Sequence, residues 1–138
     1  MISPETAELV KRRMLRARSL LDAAKNNFRL SDYNTALNRA YYAAFYGMRA
    51  LLAVDNIDKK HHSGVISEFR RLYIKTGIFP IEYSRYITVL FESRTDSDYD
   101  DYFESTETEC NLAISYAENL IHGIFAYLES KMPSVVHD

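Results

Sequence analysis

The fold is decided by one stretch, NRAYYAAFYGMRALL at residues 38–52, which predicts a single helix with three different faces. At about 100° per residue, one face is an ordinary core stripe formed by Leu37, Tyr41, Ala44, Met48 and Leu51. A seam of small residues lies beside it and lets another helix approach closely, namely Ala36, Ala40, Ala43, Gly47 and Ala50. The third face carries the Arg/Tyr stripe, which comprises Arg39, Tyr42, Tyr46 and Arg49 at spacings of three and four.

The Arg/Tyr stripe allows two interpretations. A surface helix normally presents one apolar face and one mixed polar face, so a stripe of only arginine and tyrosine is specialised. Both side chains bind phosphates, bases and partner surfaces, which indicates a binding face. Tyrosines that flank a bundle core, beside arginines with buried aliphatic stems, would give the same pattern. The sequence leaves both interpretations open.

The composition is that of one globular domain. The chain has 138 residues, of which 47% are hydrophobic and 26% charged, and it contains only 4 glycines and 3 prolines, which argues against a turn-rich β protein. The formal net charge of −2 predicts neither a nucleic-acid nor a membrane partner. The single cysteine, Cys110, has no internal disulfide partner. Since there is no signal-peptide pattern and no apolar run long enough for a bilayer, we expect a soluble, cytoplasmic protein.

Periodicity and capping residues predict five helices. In order, they begin at Ser3, near Ser31, near His62, at Pro80 and at a capping box opened by Thr106. The second runs to about Val54 and the third ends at Gly77, whereas the acidic segment 96–103 breaks the period of the fourth. Short connections favour antiparallel neighbours. We therefore predict an all-α, up-and-down antiparallel helical bundle of about five helices over residues 1–132, followed by a frayed tail at 133–138.

Arg94 is a candidate phosphate-binding residue. It continues the inward-facing spacing of the fourth helix, so the core side of that helix ends in a guanidinium that needs a partner. Four aspartates follow closely and can supply one: Asp96, Asp98, Asp100 and Asp101. One interpretation is a structural Arg–Asp pair that pins this segment. The other is a phosphate site at the mouth of the bundle, with Asp98 and Tyr99 beside Arg94.

His62 is a second candidate because it falls where the third helix begins. The N-terminus of a helix attracts anions, so His62 with Ser63 and the free backbone N–H groups suits a phosphate. An exposed loop position is the alternative, which we favour for His61. No Cys/His cluster, HExxH pattern or Gly-rich phosphate loop occurs, so we predict neither a metal site nor a cofactor.

Charge is segregated along the chain although the total is small. The first helix carries a basic cluster of Lys11, Arg12, Arg13, Arg16 and Arg18. Residues 92–109 carry eight acidic side chains. The basic cluster suits RNA phosphates, but a solvated helix face, or a salt-bridged seam against the acidic segment, is the interpretation we favour.

Motifs found in order along the chain resemble those of the HEPN superfamily. They are NRAYYAAFY at 38–46, His62 with Ser63 and Gly64, KTG at 75–77, and Arg94 followed by Asp98 and Tyr99. The resemblance is closest to the branch of small stand-alone HEPN proteins, and it covers nearly the whole chain. It implies an up-and-down bundle that forms a homodimer, often encoded beside a minimal nucleotidyltransferase in toxin–antitoxin or defence pairs.

Active HEPN proteins, by the same resemblance, are metal-independent ribonucleases. They use an arginine followed after four to six residues by a histidine, and two copies of that motif meet across the dimer cleft. This chain departs from the motif, since none of its arginines has a histidine at that spacing and Tyr99 holds the first allowed position after Arg94. A tyrosine with a pKa of about 10 is a poor general base at neutral pH compared with a histidine of about 6.5.

Three functional hypotheses follow. The first is a dimeric HEPN-type module that binds a nucleotide, RNA or a partner nucleotidyltransferase in a toxin–antitoxin-like pair, with arginines on phosphates and tyrosines stacked on bases. In this hypothesis the Arg/Tyr stripe lines one side of the dimer cleft, and the other side is lined by His62, Arg94, Asp98 and Tyr99. The second is a metal-independent endoribonuclease in which Arg94 stabilises the phosphate and His62 is the acid/base. The third is a purely structural or adaptor dimer.

Overall fold

The computed structural model of the chain describes residues 2–136, which form six helices and no strand. The helices are α1 (Pro4–Arg29), α2 (Tyr33–Val54), α3 (His62–Phe69), α4 (Glu82–Tyr99), α5 (Glu107–Lys131) and the short α6 (Pro133–Val136). A π-helical turn, Arg70–Ile74, continues α3. The all-α helical bundle predicted from the sequence is confirmed.

The central helix is α2, which packs against α1, α3, α4 and α5. All five members of the predicted core stripe are buried, and so are all five members of the small-residue seam. At Gly47 a Cβ atom would lie 3.4 Å from the Cδ1 atom of Ile124, so α2 and α5 approach each other closely there. Because α2 is enclosed on most sides, it fixes the positions of the helices that carry the candidate site residues.

Local capping explains where the first and the fifth helix begin. Ser3 caps α1, because its hydroxyl accepts a hydrogen bond from the backbone N–H of Thr6 at 3.1 Å. Thr106 and Glu109 form the predicted capping box of α5, in which each side chain accepts from the backbone N–H of the other residue. These bonds satisfy N–H groups that the first turn of a helix leaves without partners.

Two parts of the chain differ from the sequence prediction. The helix α4 continues to Tyr99, so the first four residues of the acidic segment 96–103 are still helical. The helix ends within the segment and not at its start. An ion pair between Arg94 and Asp98, one helical turn apart, stabilises this extension. Pro133–Val136, predicted to fray, form α6, in which Val135 is buried. Residues 137–138 of the predicted tail lie outside the described residues.

Candidate functional site

Arg94 lies in α4 against α2, and its side chain is only 15% exposed. Its Nε atom is 2.9 Å from Asp98 Oδ2, so the two side chains form an ion pair. The angles of this contact do not allow a hydrogen bond. Its Nη2 atom donates a hydrogen bond to Tyr42 Oη at 3.1 Å. The guanidinium also lies 5.4 and 5.5 Å from the ring centroids of Tyr41 and Tyr42. Arg94 is therefore held by a carboxylate of its own helix and by two aromatic rings of α2.

His62 is the first residue of α3, and its ring reaches the same aromatic face of α2. Its Nδ1 atom is 2.6 Å from Tyr41 Oη, and its imidazole stacks on Phe45 with 4.4 Å between the centroids. Burial raises the pKa of Tyr41, so the hydroxyl keeps its proton and shares a hydrogen bond with Nδ1, in which the imidazole tautomer decides which atom donates. If Tyr41 donates, Nε2 of the neutral imidazole carries the proton and is a donor; if Nδ1–H donates, Nε2 is an acceptor.

The charge state of His62 depends on the cations around it. The pKa of His62 is lowered from its usual value, first by burial and then by the positive charges of Arg94, Arg49 and His61. The neutral imidazole is therefore the native form at neutral pH. The pKa of His62 in the folded protein lies below its value of about 6.5 in the unfolded chain, so the neutral imidazole contributes fully to the stability of the fold above about pH 6.5. This contribution is lost as the pH falls through the pKa of His62 in the folded protein.

Replacing Arg94 with alanine is expected to raise the pKa of His62 toward about 6.5, because the substitution removes a charge that opposes protonation. An NMR titration of the imidazole resonances measures the change. Arg85→Ala is the matched control, since Arg85 is an exposed arginine of the same helix that lies over Tyr86 and Tyr116. A His62 pKa that is the same in Arg94→Ala and in the wild type would contradict this coupling.

A second cluster surrounds Asp58, in the loop that leads to α3. Arg49 Nη2 donates to Asp58 Oδ1 at 3.0 Å, and Arg13 Nη2 donates to the same oxygen at 3.1 Å. The hydrogen bond from Arg49 is the main cause that lowers the pKa of Asp58, so the carboxylate stays charged at neutral pH. Asp58 precedes His62 by four residues, and the two arginines therefore tether the loop that positions the imidazole.

The structure brings four of the predicted site residues into one group, which we call the Arg94 cluster: Arg94, Asp98, Tyr42 and His62. Arg49 lies close enough to act on the charge of the imidazole. Three predicted residues stay apart from the cluster: Tyr99, Arg39 and Tyr46, the last of which lies beside Arg16 of α1. Tyr99 is 77% exposed. Arg39 is also exposed, and it makes no hydrogen bond or ion pair to any of the residues 2–136.

The arginines of the basic cluster of α1 contact residues outside the acidic segment, and one of them, Arg16, contacts Tyr46. The four arginines of the basic cluster contact, in chain order, Glu8, Asp58, Tyr46 and Phe125. None of these partners belongs to residues 92–109, so the salt-bridged seam, one of the two favoured interpretations, is wrong for these arginines. Arg12, Arg16 and Arg18 are exposed, as the other one, a solvated helix face, requires. Arg16 lies 4.6 Å from the ring centroid of Tyr46, and the same ring has the Arg49 guanidinium at 5.8 Å and the ring of Phe45 at 5.9 Å. Tyr46 therefore packs under a cation of α1 and not beside Arg94.

Three contributors to the Arg94 cluster are absent from the predicted site. Tyr41 belongs to the predicted core stripe and is buried, yet its ring and hydroxyl contact the guanidinium and the imidazole. Phe45 supplies the face on which the imidazole stacks. Asn38 places its Nδ2 atom 3.5 Å from Asp98 Oδ1. Helical spacing could have revealed Asn38, which lies one turn before Tyr42, but no local pattern shows that α3 meets this face.

Two further kinds of site are absent from the part of the chain that the structure describes. Residues 2–136 contain no group of three or more His, Cys, Asp or Glu side chains arranged to hold a metal ion. In the same range, no helix combines the length and the apolarity that crossing a bilayer requires.

Known proteins share both the sequence pattern and the fold. Residues 10–125 match the family model of the HEPN domain. A "UPF0332 protein" from Thermotoga maritima is 35% identical over 114 residues, which cover 83% of this chain and 86% of the relative. "Putative toxin MJ0142" from Methanocaldococcus jannaschii is 32% identical over 116 residues, which cover 84% of this chain and 79% of the relative. The crystal structure of TT1696 from Thermus thermophilus has a TM-score of 0.74 and covers 86% of this chain and 98% of that chain. At 18% identity, that similarity shows the fold alone.

Proposed function

Because the chain belongs to the HEPN domain family, we propose that its Arg94 cluster binds the phosphate of a nucleotide or of RNA, within a toxin–antitoxin-like pair. One observation carries this proposal. A guanidinium of α4 and a neutral imidazole of α3 meet over the same aromatic rings of α2. Two relatives bear the name "Putative toxin", which supports the pairing with an antitoxin partner.

The Arg94 cluster suits a phosphate because its cation is held in place, with 15% of the side chain exposed. A guanidinium has five N–H donors in a rigid fork that matches two oxygens of one phosphate. One of these N–H groups of Arg94 donates to the hydroxyl of Tyr42, and the ion pair with Asp98 further orients the guanidinium. In the tautomer with Tyr41 as the donor, His62 supplies a further N–H donor from Nε2. The half-buried ring of Tyr42, beside the guanidinium, can contact a neighbouring nucleotide of an RNA strand.

The homodimer and the nucleotidyltransferase partner are proposals that rest on family membership. Arg39 and Tyr99 are the residues that we expect to meet a second copy across the cleft, because both are exposed in the single chain. Light scattering on the purified chain tests the dimer. Co-expression with a nucleotidyltransferase encoded next to the gene, followed by co-purification, tests the partner.

Arg94→Ala is expected to weaken the binding of a labelled single-stranded RNA by about tenfold or more, because a charge-assisted phosphate contact is lost. Fluorescence anisotropy measures the affinity at two salt concentrations, and the variant should also show the smaller salt dependence. Arg85→Ala serves again as the control, since it removes the same charge from the exposed side of α4. Equal affinities for Arg94→Ala and Arg85→Ala would exclude the Arg94 cluster as the phosphate site.

A metal-independent ribonuclease is the second candidate, and the geometry of His62 favours it. In the tautomer whose Nδ1–H donates to Tyr41 Oη, the neutral imidazole presents the lone pair on Nε2 that a general base needs. Incubation of the same RNA with the protein and a chelator decides the matter. Cleavage that is lost in both Arg94→Ala and His62→Ala supports the enzyme. Binding without cleavage supports the binding module, and a lowered melting temperature with unchanged binding supports the adaptor.

A further inference from the structure

A groove runs between α3 and α4 beside the Arg94 cluster. Its volume is about 420 Å³, within the range of small-molecule sites. The floor is apolar and is formed by Ile66, Ile87 and Phe91. The edges are polar and carry Ser63, Ser67, Thr88, Glu92 and Arg70. The groove can therefore bind a planar apolar group, and the polar residues at the edges of the groove can form hydrogen bonds with that group.

The groove is closed at one end and leads to the Arg94 cluster at the other. At the closed end, Arg70 Nη2 donates to the backbone oxygen of Ser84 at 3.0 Å and to Thr88 Oγ1 at 2.6 Å. Since Arg70 follows α3 and lies opposite the first half of α4, the two helices run antiparallel along the groove. The other end is therefore bordered by the first turn of α3 and by the residues of α4 that lead to Arg94.

Contacts at the open end connect the groove to the Arg94 cluster. Ser63 directly follows His62, and Phe91 precedes Arg94 by one helical turn. The ring of Phe91 lies 6.0 Å from that of Tyr41, whose hydroxyl bonds the imidazole. One ligand can therefore place an anionic end on the cluster and an apolar body in the groove.

We infer that the α3–α4 groove receives the base of a nucleotide whose phosphate lies on Arg94 and His62. This inference rests on the proposed phosphate site. A planar base matches the apolar floor, and its edge groups match the hydroxyls and the carboxylate at the rim. Glu92 repels a second phosphate in the groove and can accept a hydrogen bond from the amino group of a base. The ligand class is therefore a nucleotide with one phosphate next to the bound base.

Binding of AMP and of ribose 5-phosphate to the full chain tests the inference, because the two probes share a phosphate and differ in the base. The wild type is expected to bind AMP about tenfold or more tightly than ribose 5-phosphate. Ser67→Trp places a bulky side chain from an exposed position of α3 into the groove, and it should abolish this preference. Ser19→Trp is the control, since Ser19 is exposed on α1, which does not pack on α3 or α4. Ser19→Trp should still bind AMP more tightly than ribose 5-phosphate.

The outcomes separate the groove from the phosphate site. Equal affinity of the wild type for both probes overturns the groove inference, and so does a preference for AMP that survives in Ser67→Trp. In either case, a loss of binding to both probes in Arg94→Ala would still support the phosphate site. If neither probe binds the wild type, the groove inference is wrong, and the anisotropy measurement with RNA decides the phosphate site separately. The comparison of probes on the wild type needs no variant, so a misfolded Ser67→Trp protein would not remove the test.

Discussion

Replacing Phe45 with alanine is expected to lower the free energy of unfolding by about 3–5 kcal/mol. Phe45 is 5% exposed, and its ring stacks on His62 and contacts the rings of Tyr41 and Tyr42 at 6.0 and 6.1 Å. Alanine leaves a cavity between α2 and α3 that the surrounding side chains can fill only in part. Chemical denaturation followed by circular dichroism measures the change.

Phe45→Leu separates packing from the support of the imidazole. Leucine keeps most of the apolar volume, so its expected effect on unfolding is below about 1.5 kcal/mol. It removes the aromatic face on which His62 stacks, and RNA affinity should therefore fall although the fold is retained. If the free energy of unfolding falls no more in Phe45→Ala than in Phe45→Leu, the packing of this residue does not hold α3 on α2, and the prediction is wrong.

Replacing Arg13 with methionine is expected to lower the free energy of unfolding by about 2 kcal/mol, because hydrogen bonds from a buried charged group are lost. Arg13 is 8% exposed in the middle of α1. It donates through Nη1 to the backbone oxygen of Arg49 at 3.2 Å and through Nη2 to Asp58 Oδ1 at 3.1 Å. These bonds join α1, α2 and the loop before α3. Methionine preserves much of the packing volume, so the loss reports mainly on the hydrogen bonds.

Arg12→Met is the matched control for Arg13→Met. Arg12 is the preceding residue, and its ion pair with Glu8 at 3.0 Å joins side chains that are 74% and 56% exposed. Exposed pairs of this kind contribute little, so we expect a change below about 0.5 kcal/mol. Denaturation of the two variants under the same conditions gives the comparison. Equal effects would mean that the buried position of Arg13 has no special role.

The helices could be predicted from the sequence because the interactions that begin them are local. Ser3 bonds the third residue after it, and Thr106 and Glu109 form a reciprocal pair within one turn. The periodicity does not predict the extension of α4 to Tyr99, because the acidic residues of this segment have no apolar period. The structural Arg–Asp pair considered for this segment is present between Arg94 and Asp98, and it stabilises this part of the helix.

The candidate site was predicted only in part, because its partners come from different helices. The helical spacing marks Arg94, and the start of a helix marks His62. The same spacing places Tyr41 in the core alone, although it also bonds the imidazole. The core stripe and the Arg94 cluster are therefore not on separate flanks of α2, since the ring of Tyr41 contributes to both. Asp58 carries no pattern that marks it, because its two arginine partners lie in α1 and α2.

The sequence by itself determined most of the helices, their buried stripe and the candidate phosphate-binding residues, since periodicity and capping act over one or two turns. Only the tertiary structure decided which of those residues meet. Packing of α3 and α4 on the same aromatic face of α2 unites Arg94 with His62 and leaves Arg39 and Tyr99 exposed. The physical reason is that such contacts depend on how the helices are oriented against one another. Burial of whole faces, rather than any short stretch of chain, sets that orientation.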